Sequence, residues 1–245
     1  MYELHLLALS PSLPMVSSYF ANVFKNMSPF FKATYIVARI EASEHSDLDS
    51  GKIYSRALRY PICERTVFEM ICRLLEDNKV FPRSPIRLPR RLFRSLLPAN
   101  GQEWSDQDYP LPFLRNIYGT PNLPTINANA YDGYALTKAV YAQFTPLVKF
   151  LLDKGALPEC KDGIAVKIAV RLKDLDMFKM LIVGWPRQGL SSRDREIAES
   201  MMMELAILSG ASNVVEFYRG KGIVPNIVAL QKIVTYQISR RWFAF

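Results

Sequence analysis

Arginine is the residue type that this chain concentrates where chemistry could follow. Six cations, Lys79, Arg83, Arg87, Arg90, Arg91 and Arg94, stand within sixteen residues, and no acid occurs from Val80 to Gln102. Residues 51–100 hold 11 Lys plus Arg against 4 Asp plus Glu, a surplus of +7 in a chain whose total is +8. Guanidinium groups are planar forks that match carboxylate and phosphate geometry. The strip therefore has the chemistry to dock an acidic partner protein, or nucleic acid through its phosphates. Only Phe81 and Phe93 interleave with it, which is thin for stacking on single-stranded bases. A solvated face, with arginines on helix carbonyls and nearby acids, is the competing reading.

Signals for catalysis or cofactors are sparse. The two histidines, His5 and His45, have no nucleophile that the spacing would bring to them. Three dispersed cysteines, Cys63, Cys72 and Cys160, provide no zinc-ligand spacing and no even disulfide framework. They read as reduced intracellular thiols. Gly220-Lys221-Gly222 lacks the upstream glycine and trailing hydroxyl of a phosphate loop. Asp174 and Asp176 read as acids starting a helix. The expectation is a chain with no catalytic, metal or cofactor site. The uncharged run Leu6 to Phe24 carries Pro11 and Pro14 and reads as mature structure, with no membrane span.

The elements that would position these residues are legible as a repeat. From Asp132 to Pro158 the sequence holds two short apolar patterns. The first contains Ala135, Leu136, Ala139 and Val140. The second contains Leu147, Val148, Phe150, Leu151 and Leu152. Pro146 suits the first turn of the second helix, and Gly155 suits its end. Neither helix is long enough to stand alone in water. Thirty residues on, Asp162-Gly163 repeats Asp132-Gly133, and Ala169-Val170 repeats Ala139-Val140. A third copy places Ala206, Gly210, Val214, Val215, Phe217, Tyr218 and Gly222 at the offsets of Ala139, Gln143, Leu147, Val148, Phe150, Leu151 and Gly155. Its 37-residue spacing predicts an expanded loop over Trp185 to Ser192.

Ala139 to Leu157, with paired small residues, a short turn, Leu-Val-x-Phe-Leu-Leu and Lys-Gly-Ala, resembles the body of an ankyrin repeat. The likeness spans about 130–226. The family's Thr-Pro-Leu-His opening is replaced by Tyr134-Ala135-Leu136-Thr137, and the inter-helix glycine is kept only at Gly210. The resemblance implies a mainly α protein, an ankyrin-like helical-hairpin solenoid, with no catalytic role and a concave binding surface. That surface would carry Tyr131, Tyr134, Lys138, Tyr141, Lys167, Arg171 and Lys173. Tyr134 and Tyr141 could equally fill the core between copies.

Around the repeats, residues 1–80 read as a helical region with a divergent hairpin over 53–80. In that hairpin Ala57-Leu58 closes one helix and Val67, Met70, Ile71, Leu74 and Leu75 face inward from the next. Residues 81–130 hold half of the 16 prolines and read as a Pro/Arg-rich insertion: a short helix over Leu92 to Leu97, and otherwise ordered loop packed on the repeats, since Trp104, Tyr109, Phe113, Leu114, Ile117 and Tyr118 are too apolar for a free linker. Residues 227–245 read as a C-terminal capping helix. The expected function is a protein-interaction scaffold within a larger intracellular complex, cytoplasmic or nuclear. Arg83, Arg87, Arg90, Arg91 and Arg94 form a second contact. The alternative is a nucleic-acid-associated factor using those arginines.

Overall fold

The computed structural model describes residues 17–43, 49–77, 84–98, 103–183, 192–223 and 231. The described chain is mainly helical. Its strands are a single two-residue parallel pair, β1 (Ile86–Arg87) with β2 (Ile126–Asn127), in register Ile86 to Ile126. No helix among the described residues is long and apolar enough to cross a membrane. The chain divides into two compact units. The first takes the described residues to Arg94 together with Asp106–Ala130. The second takes Ser95–Ser105 and the described residues from Tyr131.

The first unit begins with α1 (Ser18–Lys25), α2 (Pro29–Ala42), α3 (Ser50–Ala57) and α4 (Arg65–Asp77). Ser28 caps α2, its side chain accepting from the Phe31 N–H, and Pro29 enters the first turn, where its missing N–H costs nothing. Helices α2, α3 and α4 pack on one another. Their contact faces carry Ile36, Ile40, Ile53, Leu58, Phe68 and Ile71, all at 2 % exposure or less. Val67 and Leu75 are buried on α4 as its periodicity predicts, whereas Tyr19 on α1 is 61 % exposed.

The proline-rich stretch, expected as loop on the repeats with one short helix over 92–97, mostly contributes short elements to this first-unit core instead. Besides β1 and β2 it forms α5 (Arg91–Arg94) and α6 (Leu111–Gly119). Strand β1 packs on α3. Leu92, Phe93, Leu111, Leu114 and Ile117 are essentially inaccessible. The prolines bound these pieces because each removes an N–H and fixes φ, so every helix or strand ends after a few residues. Asp49 ties the stretch down. It caps α3 by accepting from the Lys52 N–H at 3.2 Å, and it accepts the Ser84 N–H at 3.2 Å and the Ser84 hydroxyl at 2.8 Å. Gly51 is needed there, because a methyl group on it would fall on the Ser84 carbonyl oxygen.

The second unit holds α7 (Ala130–Tyr141, from Tyr131 on), α8 (Thr145–Asp153), α9 (Cys160–Arg171), α10 (Leu175–Ile182), α11 (Ser192–Leu208) and α12 (Ser212–Gly220). Helix α9 packs on α10 and α11, α8 on α10, α10 on α12, and α11 on α12. Leu151, Leu181 and Tyr218, at one template position, are 0, 1 and 2 % exposed. Between 131–153 and 161–183 the burial class agrees at 19 of 23 positions. The expected capping helix at 227–245, apart from Gln231, and the expected loop at 185–192, apart from Ser192 at the start of α11, lie outside the described residues, as do His5, His45, Lys79, Phe81 and Arg83.

Candidate functional site

The second unit repeats its backbone as well as its burial. Helix α7 ends with Gln143 donating to the Val140 carbonyl and Phe144 to the Ala139 carbonyl, both at 3.0 Å. Lys173 and Asp174 make the same pair to Val170 and Ala169 at 3.0 and 3.2 Å, and Gly210 and Ala211 to Ile207 and Ala206 at 3.1 and 2.8 Å. This crossed pair is the glycine-type helix stop. It requires a left-handed residue, which Gln143, Lys173 and Gly210 supply at φ 56, 58 and 65. The second helices end likewise. Gly155 and Ala156 bond back to Leu152 and Leu151, and Gly222 and Ile223 to Arg219 and Tyr218.

The hairpin tips repeat too. Tyr131, Asp132 and Gly133 are left-handed at φ 57, 58 and 70, and Lys161, Asp162 and Gly163 follow at 53, 55 and 68. Regular helix therefore starts only at Tyr134 and Ile164. Successive tips touch closely: a Cβ on Gly133 would lie 2.7 Å from the Cys160 Cβ.

This geometry distributes the expected contact residues. Tyr141 and Arg171 are the last residues of α7 and α9 and occupy the same template position; both are exposed. The Lys138 ammonium lies 5.1 Å from the Tyr141 ring centroid, a cation–π contact that orients the ring. Lys173 is exposed at the left-handed hinge, where its carbonyl accepts from the Asn213 side-chain amide at 2.9 Å. Its ammonium lies 3.6 Å from where a Cβ on Gly210 would stand. Tyr131, Tyr134 and Lys167 are half-buried. Trp104, expected to pack on the repeats because it is too apolar for a free linker, does so. It stacks on Phe144 at 4.7 Å and 12°, and its indole N–H donates to the Ala142 carbonyl at 2.7 Å.

In the first unit, Arg87, Arg90 and Arg94 are exposed. Arg91 is turned inward. Its Nε donates to the Leu58 carbonyl at 2.7 Å and its Nη2 to the Cys63 carbonyl at 3.4 Å. It thereby ties α5 to the end of α3 and the loop beyond. Arg65 donates to Glu69 at 3.0 Å, and that bond first of all, with help from Asn116, holds the Glu69 carboxyl below its ordinary value against burial. Cys63 and Cys72 are buried free thiols, each pushed up to about 12 mainly by burial. Protonated thiols of this kind are poor nucleophiles and metal ligands. No grouping of three or more His, Cys, Asp or Glu suited to a metal occurs among the described residues.

Comparison with family models, with curated proteins and with solved structures found no match in any of the three.

Proposed function

We propose that residues 131–223 form an ankyrin-like array of helical hairpins that binds a partner protein without catalysis, as a subunit of a larger assembly. The observation that carries this reading is the crossed hydrogen-bond stop recurring at Gln143, Lys173 and Gly210. An identical hinge in three consecutive hairpins sets each first helix at the same attitude, so residues at one template position line up in rows. In such an array each unit contacts its neighbours and the shared surface binds. One row here holds Tyr141 and Arg171, residue types that carry binding energy at interfaces. Lys173 stands two residues beyond it. The exposed Arg87, Arg90 and Arg94 of the first unit add a basic contact suited to an acidic partner.

The test is co-purification of the tagged chain, followed by Tyr141→Ala and Arg171→Glu with Lys173→Glu. Loss of the same partner from both variants, with wild-type circular dichroism, supports the reading. Undiminished capture removes this face from it. Separately, Arg87→Ala, Arg90→Ala and Arg94→Ala together should weaken the complex in a salt-dependent manner. If the wild-type chain instead binds DNA or RNA with an affinity falling steeply in salt, and these three changes abolish it, the strip is a nucleic-acid contact.

A further inference from the structure

The first unit contains a cleft that neither the hairpin array nor the exposed arginines use. Its volume is about 530 Å³, the size of small-molecule sites. Pro61, Tyr109, Pro112 and Phe113 provide apolar walls, and Glu64, Arg65 and Arg91 provide charge. The Tyr109 ring stacks with Phe113 at 6.4 Å and 16° and is half exposed. Phe113 in turn meets Phe68 of the core edge-on at 6.3 Å. The aromatic wall is thus anchored from behind.

The charge in the cleft is unbalanced. Arg91 is half-buried, and its partners are the Leu58 carbonyl, the Cys63 carbonyl and the Tyr109 hydroxyl. All three acceptors are uncharged. A guanidinium has five N–H donors, so about two remain for something else. No carboxylate among the described residues forms an ion pair with it, whereas Arg65 has Glu69. A half-buried cation whose hydrogen-bond acceptors are all uncharged favours an anion, and a planar fork favours an oxyanion.

We propose that this cleft binds a small organic anion, with a carboxylate or phosphate head on the free side of the Arg91 fork and a flat apolar body against Tyr109 and Phe113. The site is built from residues of the first unit alone, so its failure leaves the proposed function untouched.

The experiment titrates the isotope-labelled full chain with benzoate and phenyl phosphate, and with benzyl alcohol and benzylammonium at equal concentration, following amide NMR signals. The anions should shift the signals of residues 61–65 and 107–113 saturably. The neutral and cationic probes should bind at least about tenfold more weakly, as expected for losing one charge-assisted fork. Arg91→Lys keeps the charge but not the fork and should weaken the anions about tenfold. Glu64→Gln removes an exposed acid without touching the anchors of Arg91 and should tighten them about twofold. It decides the matter if Arg91→Lys does not fold. Equal binding of all four probes, no saturable shift, or anion affinity that responds to neither substitution overturns the proposal. A phosphotyrosine peptide binding at least about tenfold more tightly than phenyl phosphate overturns the small-molecule assignment in favour of a peptide dock.

Discussion

Gly133→Ala tests whether consecutive hairpin tips are packed against each other. Two separate costs apply at this position. An alanine at φ +70 is left-handed, which costs about 1–2 kcal/mol. Its Cβ would also lie 2.7 Å from the Cys160 Cβ and 3.4 Å from its sulfur. Overpacking of that kind costs about 1–3 kcal/mol more. Gly155→Ala isolates the first cost, since its φ is +86 and nothing lies within 4 Å of the added carbon. Urea unfolding followed by circular dichroism should therefore place Gly155→Ala about 1–2 kcal/mol below wild type and Gly133→Ala about 2–5 below. The melting temperature should fall by about 2–4 °C for each kcal/mol. Adding Cys160→Gly removes the opposing carbon, so the double variant should recover about 1–3 kcal/mol of coupling. The reasoning is refuted if Gly133→Ala costs no more than Gly155→Ala, or if Cys160→Gly restores nothing.

Four further outcomes follow from the structure. Gln143→Gly and Lys173→Gly should each stabilise by about 0.5–1 kcal/mol, because both residues occupy the left-handed hinge that Gly210 fills in the third hairpin; Gly210→Ala should destabilise, all read by urea midpoint. Cys160, half-buried, should react with a thiol reagent before the buried Cys63 and Cys72. Those two thiols have folded values of about 12 against an ordinary 9.0, so their contribution is complete below about pH 9 and lost as pH rises from there through 12; a stability flat across pH 9–11 would contradict it. Burial pushes the Asp49 carboxyl up, but hydrogen bonds from Ser84, Lys52 and Gly51 outweigh it and leave the group below its ordinary value. Its contribution is thus present above pH 4 and lost on acidification, and Asp49→Ala should cost about 1–3 kcal/mol at pH 7 with a smaller difference at pH 3.

Much of the second unit was legible because its signal is periodic. Leu147, Val148 and Leu151 fall on one stripe of a helix bounded by Pro146 and Gly155, and those positions are buried. The thirty-residue offset then carries the pattern to Met177, Phe178 and Leu181. The hinges were less legible. Gln143 and Lys173 are poor left-handed residues by local preference, and only their register with Gly210 signals the shared stop. The strand pair and α6 were missed, since two residues of strand and a proline-bounded helix carry no period long enough to read. Arg91 could not be separated from Arg87, Arg90 and Arg94 by type or spacing.

Residue order alone determined the helical class of 131–223, the thirty-residue recurrence of its apolar pattern and the concentration of the net positive charge in 51–100, because these depend on neighbours along the chain. Tertiary structure alone decided that Asp49 holds Ser84, that Trp104 seats on Phe144, and that Arg91 turns inward while Arg87, Arg90 and Arg94 are exposed. Each of those outcomes joins residues some 30 to 40 positions apart. Hydrogen-bond geometry and close packing select such partners only once the backbone has brought them within reach.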